Sequence, residues 1–365
     1  MAPDSTRVLI VGTYGGGGVH QYVEEQHRRL ADRLDVESYD MAMPPAGSGI
    51  RWFLTAVLMG LWAAIRFPFR SPPDVVHVHT SYRFSFYRSS LYVFVAAYVW
   101  RRPVVLHVHG SSFDEFVDTD SRILAWYQSV VFGASDRIVV LSAYWREVVT
   151  TRADRERIVV LPNAVEPANY DPETGHDVPH VVFVSNMIDR KGVTELVEAI
   201  DDLQHRPDLE FRASFAGSGP RSGAVEALAQ RHETVTYHGY VSEERKRSLL
   251  SEGSIYVLPT YAEGLPIAML EGMAGGNAVI STTVGAIPEV IGEENGLLVE
   301  PGDADDLRAA LETLLESPDR VSRMAERNRE LVLERYSWEE IIEELLRLYA
   351  RELPDEPAIA PEPAA

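Results

Sequence analysis

The sequence predicts an α/β protein with two doubly wound parallel-sheet domains that face a central cleft. Short apolar runs that indicate buried strands alternate with helical patterns over the first half of the chain. The same alternation begins again after Pro162–Gly175, a segment rich in proline and polar residues. A length of 365 residues is large for one hydrophobic core and sufficient for two.

The first half opens with Arg7–Gly12, an apolar run ending in glycine that is typical of a buried parallel strand. Val19–Leu34 then shows helical periodicity. The remaining elements expected before the linker are a helix at Arg51–Ile65, a strand at Asp74–His79, a helix at Ser89–Val99, a strand at Pro103–His109, a helix at Arg122–Phe132 and a strand at Arg137–Leu141.

The second half repeats the pattern with six strands and six helices. The predicted strands are His180–Ser185, Phe211–Gly217, Thr234–His238, Ile255–Pro259, Ala278–Ser281 and Gly296–Val299. The predicted helices are Val193–Leu203, Ser222–Ala229, Glu243–Leu250, Ile267–Ala274, Ile287–Ile291 and Ala304–Leu315. We therefore place the domains at residues 1–168 and 169–336.

The chain ends with a predicted helix and a tail. Ser337 begins the helical pattern as an N-cap, and Glu340, three residues on, completes a capping box. This helix, residues 337–353, is expected to pack back on the N-terminal domain. Residues 354–365 are rich in proline and are expected to be disordered.

Composition excludes several classes of protein. The absence of cysteine excludes disulfides, thiolate zinc sites and a cysteine nucleophile. A formal net charge of −21 argues against duplex nucleic acid as a partner. Lysine occurs only at Lys191 and Lys246, so 34 − 2 = 32 basic residues are arginine. This acidic, lysine-poor composition indicates a halophilic protein, because high salt screens the self-repulsion of such a surface. An arginine-rich codon bias is the alternative, but it does not explain the excess of acidic residues.

The N-terminus lacks the pattern of a signal peptide. The longest uncharged run near it, Trp52–Ile65, has 14 residues, fewer than the ~20 needed to span a bilayer. We therefore expect a cytoplasmic protein.

The most informative segment is Glu263–Ala274, EGLPIAMLEGMA. Pro266 suits the first turn of a helix, which places Glu263 in the preceding loop and Glu271 on the helix. The free N–H groups of a helix N-terminus bind anions, above all phosphate. A carboxylate beside such a site suits hydroxyl groups, so the segment predicts a clamp for a nucleotide sugar.

A basic, aromatic stretch runs from Met41 to His109. It holds seven arginines and one acidic residue, Asp74, giving 7 − 1 = +6 in a chain of net −21. Arginines mixed with amphipathic apolar runs suit an anionic membrane surface. We expect this side of the N-terminal domain to contact lipid and a lipid-linked acceptor; ordinary core helices flanked by arginine are the alternative. The arginines assigned to this face are Arg83, Arg88, Arg101 and Arg102.

With these motifs in order, the chain resembles the retaining glycosyltransferases of family 4 up to about Leu353. The specific marker is the pair of carboxylates Glu263 and Glu271, eight positions apart, with EGLP at the start of the element. The weaker markers are Gly17-Gly18, HVHGSSF at 107–113, LPNAV at 161–165, RKG at 190–192, GSGP at 217–220 and NGLLVEPGD at 295–303. The resemblance implies the GT-B fold, with two Rossmann-like domains, and a donor that is a UDP- or GDP-linked sugar. It also implies that no metal or other cofactor is needed.

The resemblance implies roles for individual residues. Glu263 would meet the hydroxyls of the transferred sugar, Glu271 the ribose hydroxyls, and His109 the sugar near the reacting centre. Lys191 would neutralise the diphosphate as the glycosidic bond breaks; a lysine retained in an arginine-rich chain supports this role independently. The other residues expected to bind the donor are Gly17, Gly18, Asn186, Arg190, Gly264, Leu265, Pro266 and Ile267.

One position departs from the family pattern. An arginine that usually contacts the diphosphate is replaced by Asn186, and Arg190 is the residue expected to compensate. Lys246 is predicted to be an ordinary surface lysine, and His77, His79 and His107 to be structural.

Three functions remain open from the sequence. The first is transfer of a sugar, with retention of configuration, to a lipid-linked or glycan acceptor at the inner face of the cell membrane. The second is a non-catalytic partner subunit that binds a sugar nucleotide or lipid, which the change at Asn186 motivates. The third is an epimerase or phosphorylase of the same fold.

Overall fold

The computed structural model describes residues 6–12, 18–41, 47, 49–173, 175 and 178–353. The chain divides into two compact units. The first comprises Met1–Val140, Arg146–Leu161 and Ile342–Ala365, and the second comprises Leu141–Trp145 and Pro162–Ile341. The expected tail at 354–365 lies outside the described residues.

The first unit is built on a six-stranded parallel sheet of order β2-β1-β3-β4-β5-β6. Its strands are β1 Arg7–Gly12, β2 Asp35–Asp40, β3 Val75–Thr80, β4 Val104–Val108, β5 Arg137–Val140 and β6 Ile158–Val160. The helices in this part of the chain are α1 Gly18–Leu30, α2 Ile50–Arg66, α3 Phe84–Phe94, α4 Phe113–Val117, α5 Arg122–Gly133 and α6 Ala143–Thr150. A π-helical segment, Val95–Trp100, continues α3.

The second unit repeats this architecture with strand order β12-β11-β10-β7-β8-β9, again all parallel. Its strands are β7 His180–Val184, β8 Arg212–Ala216, β9 Val235–Tyr237, β10 Ile255–Leu258, β11 Ala278–Thr282 and β12 Gly296–Val299. The helices are α7 Val193–Gln204, α8 Ser222–Arg231, α9 Glu243–Ser251, α10 Ile267–Ala274, α11 Ile287–Val290, α12 Ala304–Leu315, α13 Pro318–Arg335 and α14 Trp338–Glu352. The predicted α/β class with two doubly wound parallel sheets is confirmed.

Most predicted elements appear within a few residues of their expected bounds. The structure also contains several elements that the sequence did not predict. The strand β2 was overlooked because its sequence, DVESYD, is acidic and mostly exposed. Charged residues are typical of an edge strand, and β2 forms the edge of its sheet. The charged helix α13 was overlooked too, although it buries Val321, Met324, Asn328 and Leu331 at helical spacing.

The last helix, α14, is held to the first unit by its C-terminal half. Its N-cap is Ser337, whose Oγ accepts a hydrogen bond from Glu340 N at 3.4 Å. Further along, Glu352 accepts a hydrogen bond from Arg137 Nε at 2.6 Å, and Tyr349 is fully buried beside His77.

One segment of the described residues, Ile50–Phe69, is long and apolar enough to cross a membrane by length and composition. Its mean hydropathy is 1.5, although arginine stands at both ends of α2. From the uncharged residues alone, we expected no segment long enough to cross a membrane. That expectation is wrong for α2, because the arginines near its two ends do not end the apolar stretch.

Candidate active site

Glu263 lies buried in the loop between β10 and α10. Its Oε1 accepts hydrogen bonds from Lys191 Nζ and, at 3.3 Å, from Thr260 Oγ1. Arg190 Nη1 lies 3.4 Å from the same oxygen. Two cations around one carboxylate leave a net positive charge at this point, the sign that a diphosphate requires.

The Lys191-Gly192 pair is placed by the backbone. Lys191 ends a short 3₁₀ turn, and Gly192 follows with a φ of +68°. A Cβ at Gly192 would lie 1.9 Å from the carbonyl oxygen of Pro259, so only glycine allows this close approach. The approach lets Arg190 O accept hydrogen bonds from Tyr261 N at 2.8 Å and Thr260 Oγ1 at 2.9 Å. The two loops are therefore fixed together, and Lys191 is directed at Glu263.

The helix α10 begins where the sequence predicted, directly after Pro266. Pro266 is its N-cap residue, and no side chain caps the helix. The first-turn N–H groups of Ile267 and Ala268 carry the positive end of the helix dipole. These groups follow the carboxyl end of β10, the edge at which parallel sheets bind ligands.

Two side chains that the sequence did not single out hold the loop before α10. Trp145 Nε1 donates to the carbonyl oxygen of Gly264 at 2.9 Å, and Asn163 Nδ2 donates to that of Leu265 at 2.6 Å. Because a trans peptide directs its C=O and N–H to opposite sides, the Leu265 N–H points away from Trp145. Asn163 lies within the LPNAV motif, so its buried amide gives that motif a positioning role.

Glu271 is largely buried on α10 and forms an ion pair with Lys246 Nζ at 2.7 Å. Lys246 also contacts Glu243 at 2.8 Å, and Tyr170 is hydrogen-bonded to Glu271. Lys246 is thus not the ordinary surface lysine that the sequence suggested. The prediction was wrong because the partner lies 25 residues away in sequence and no local motif marks the lysine. Each lysine of the chain pairs with one carboxylate of the motif.

The ionisation of this second pair reflects its burial. Burial raises the pKa of Glu271, and the charge of Lys246 opposes that rise. Burial also acts to lower the pKa of Lys246, but the ion pairs with Glu271 and Glu243 outweigh it and raise that pKa. The pair is therefore mutually dependent: each group keeps the other charged.

In the first unit, His109 belongs to a ladder of four buried histidines, of which three lie on β3 and β4 and His109 directly follows β4. His79 Nδ1 and His109 Nε2 lie 2.9 Å apart, and His77 Nε2 and His107 Nδ1 lie 3.2 Å apart. His77 also contacts Gln26 of α1, at 3.3 Å, and Tyr349. We call these four residues the histidine ladder. The repeated His-Val-His in two predicted strands was the signal that could have revealed it.

Burial controls the charge of the histidine ladder. It lowers the pKa of His77 and of His109 to about 3, and it lowers those of His79 and His107 well below the ordinary value. All four imidazoles are therefore neutral near neutral pH, and His109 can orient a hydroxyl but cannot supply a proton as an imidazolium.

Three residues of the ladder, His77, His79 and His107, bring ring nitrogens within 4.8 Å of one another, a spacing that a metal ion could bridge. The rings of His77 and His79 are stacked at 9°, however, and His77 already hydrogen-bonds His107. Stacked rings direct their nitrogens side by side, whereas the ligands of a tetrahedral metal ion converge on one point. The arrangement of these three rings therefore does not match a tetrahedral metal site.

The remaining predicted donor residues are placed as follows. Asn186 is exposed in the loop after β7 and its amide carries no charge, whereas Arg190 supplies a guanidinium beside Glu263. Gly219 of the GSGP motif fits closely against Met187, because a Cβ there would lie 2.4 Å from the Met187 carbonyl oxygen. Gly18 is the first residue of α1, and Gly17 lies outside the described residues.

Comparison with known proteins identifies the family. The family described as "Glycosyl transferase 4-like domain" matches residues 5–164, and that described as "Glycosyl transferases group 1" matches residues 178–317. An alpha-maltose-1-phosphate synthase from Mycolicibacterium smegmatis is 30% identical over 95% of this chain and 98% of its own. The chain belongs to the group 1 glycosyltransferases.

More distant matches agree with this assignment. The MMP alpha-(1->4)-mannosyltransferase of Mycolicibacterium hassiacum is 26% identical over 70% of this chain, and the match spans 61% of that protein. HepE of Anabaena, solved in complex with UDP and glucose, has a TM-score of 0.73 at 15% identity and covers 95% of this chain and 100% of its own. That likeness shows the GT-B fold.

Proposed function

We propose that this group 1 glycosyltransferase is a retaining, metal-independent hexosyltransferase. Its donor is a UDP- or GDP-linked sugar, and its acceptor is lipid-linked or a cell-surface glycan. The observation that carries the proposal is the buried Glu263 between Lys191 and Arg190 at the N-terminus of α10. This group offers a carboxylate for sugar hydroxyls, and cations and N–H groups for a diphosphate.

In the proposed reaction the bond between the anomeric carbon and the diphosphate oxygen breaks. The acceptor hydroxyl forms its new bond on the same face of the sugar, so the configuration is retained. The departing phosphate oxygen takes the acceptor proton, and the nucleoside diphosphate leaves. Lys191 and the α10 N-terminus stabilise the negative charge that builds on this leaving group. His109 orients a donor hydroxyl as a neutral imidazole.

The test is an incubation of the whole protein with labelled UDP- and GDP-sugars and a membrane extract, in concentrated potassium chloride because the acidic surface favours salt. A labelled glycoside with the anomeric configuration of the donor supports the proposal. Donor binding without transfer from any sugar would instead identify a non-catalytic subunit, and an isomerised donor would identify an epimerase.

The same assay tests metal independence. Transfer that continues in the presence of a chelator supports it. Transfer that stops with the chelator and returns when Mg²⁺ or Mn²⁺ is added contradicts it.

We further propose that Glu271 binds the ribose hydroxyls and that Lys246 keeps it ionised for this purpose. Replacing Lys246 with methionine leaves a buried carboxylate with a still higher pKa, so Glu271 is protonated over a wider pH range. We expect the Kd for the nucleotide to rise about tenfold, ~1.4 kcal/mol, at neutral pH. Binding should recover as the pH is raised, because Glu271 then loses its proton.

Calorimetric titration with UDP and GDP over a pH series measures this effect. Lys246→Arg should restore most of the affinity, whereas Arg323→Met, at an exposed arginine of α13, should leave it unchanged. A Lys246→Met protein that binds nucleotide as tightly as the wild type at every pH would contradict the role.

A further inference from the structure

The helix α2 has an unusual distribution of side chains. Its two buried residues, Ala56 and Ala63, are small, and Trp52 and Val57 are half-buried. The side facing outward carries eight large apolar residues instead of the charged residues of an ordinary surface helix. These exposed residues are Ile50, Phe53, Leu54, Leu58, Met59, Leu61, Trp62 and Ile65. Such a contiguous apolar surface marks an interaction site.

The apolar surface continues beyond α2. Right-handed crossovers place α2, α3 and α5 on one face of the first sheet. The helix α3 contacts both α2 and α5. These neighbours and the π-helical segment add exposed apolar residues to the surface: Phe84, Leu91, Tyr98, Ile123 and Trp126. We call the combined area the α2–α3–α5 surface.

The exposed charges at the ends of α2, α3 and the π-helical segment are positive in a strongly acidic chain, whereas Asp118 and Asp120 precede α5. Arg51 and Arg66 are exposed at the two ends of α2, and Arg83 and Arg101 are exposed at the ends of α3 and the π-helical segment. The other two arginines assigned to this face, Arg88 and Arg102, are half-buried. Basic residues that flank an apolar area are complementary to an anionic lipid surface and unlike the rest of this protein.

The C-terminal end of α2 combines these features. The guanidinium of Arg66 lies 4.3 Å from the ring centroid of Trp62. Both residues line a pocket of about 440 Å³ together with Phe69, Arg70 and one carboxylate, Asp40. Trp beside arginine is typical of the level of lipid headgroups, where an apolar ring and a charged tip are both stabilised.

The connections of α2 determine how it can meet a bilayer. The helix has 17 residues, a length of ~26 Å, and it joins β2 to β3. Both strands pair with β1 in one sheet, so both ends of α2 return to the same folded unit. Tyr39 of β2 also donates a hydrogen bond to Ala63 O at 2.7 Å, which fixes the inner side of the helix. A helix held in this way cannot have its ends on opposite sides of a membrane.

We propose that the α2–α3–α5 surface docks on an anionic lipid bilayer, with α2 lying in the plane of the membrane. The large apolar residues enter the interface, and Arg51, Arg66, Arg83 and Arg101 contact the headgroups. The docking is a binding property that does not depend on the proposed sugar transfer. It would bring the enzyme to an acceptor carried by lipid.

Vesicle flotation tests the docking without any activity measurement. The wild-type protein should float with vesicles of equal parts phosphatidylcholine and phosphatidylglycerol, and about tenfold less with phosphatidylcholine alone. Changing Phe53, Leu58 and Trp62 to serine should lower binding at least tenfold. The control changes Tyr240 and Leu333, exposed apolar residues of the second unit, to serine and should bind as the wild type does.

Three outcomes would overturn the proposal. The first is a wild-type protein that floats with neither kind of vesicle. The second is equal flotation of the α2 variant and the control variant. Alternatively, the wild type is a dimer that the α2 changes make monomeric, without vesicle binding, which would assign the surface to a second copy of the chain. Circular dichroism of each variant confirms that it folds.

The absence of cysteine allows a second test of the in-plane orientation. Nitroxide labels on single-cysteine variants at Ile50, Leu58 and Ile65 report the depth of each position in the bilayer. Similar shallow depths at all three positions support a helix in the plane, and a label at exposed Leu333 should remain in water. A steady change of depth from Ile50 to Ile65, with one position at the bilayer centre, would show insertion across the membrane and overturn the proposal.

Discussion

Replacing Lys191 with methionine is expected to abolish sugar transfer and to destabilise the second unit. Lys191 Nζ donates to Glu263 Oε1, and both side chains are about 90% buried. Loss of one partner leaves a buried carboxylate with only Arg190 and Thr260 around it, at a cost of ~3–5 kcal/mol. Loss of a fixed donor to a developing anion lowers the rate of transfer by about 10²–10³-fold.

The double variant Lys191→Met, Glu263→Gln separates these two effects. A neutral amide in place of the carboxylate removes the unpaired charge, so most of the lost stability should return. Transfer should remain absent, because neither the ammonium nor the carboxylate is restored. A structural role for the pair predicts the opposite: activity would recover together with stability.

Two measurements therefore decide the role of the pair: urea unfolding for stability and product formation from a labelled donor for transfer. Lys191→Arg is the conservative control. Arginine keeps the charge, but its planar fork differs from the compact ammonium, so we expect a folded protein with little activity. Full transfer by Lys191→Met would refute the role assigned to this residue.

The donor segment could be predicted from the sequence because its determinants are local. Pro266 sets the start of α10 within the segment itself, whereas Lys191, which meets Glu263 from 72 residues away, was assigned through the family resemblance. The partners Trp145, Asn163 and Lys246 escaped prediction, since each reaches the segment through a contact 25 or more residues away. A sequence pattern shows which residues can serve a site, and only the fold shows which of them meet.

The same limit applies to the first unit. Each His-Val-His motif in β3 and β4 was visible, but the pairing of His79 with His107 across the two strands depends on sheet register. The position of Tyr349 beside His77 depends on a helix 272 residues further along. The apolar character of α2 was visible too, whereas its exposure required the structure.

The histidine ladder is expected to make the first unit sensitive to mild acid. In the folded protein the four imidazoles stay neutral, with the pKa of His77 and of His109 near 3, whereas in the unfolded chain each has a pKa near 6.5. Between these values the unfolded state binds more protons, so stability falls as the pH falls from about 6.5. Each histidine contributes ~1.4 kcal/mol per pH unit, and all four together contribute ~5 kcal/mol per pH unit.

Between about pH 6.5 and about pH 5, carboxylates with lowered pKa values do not yet take up protons. Glu271, whose pKa burial raises, is unchanged in the variant below and contributes equally to both proteins. Changing His79 and His107 to asparagine removes two of the four groups. The slope of the unfolding free energy against pH should therefore become smaller by about 3 kcal/mol per pH unit. Urea unfolding over this range measures it, and His205→Asn, at an exposed histidine, is the control. Equal slopes in the double variant and the wild type would show that His79 and His107 bind as many protons in the folded state as in the unfolded state, which would contradict the neutral ladder.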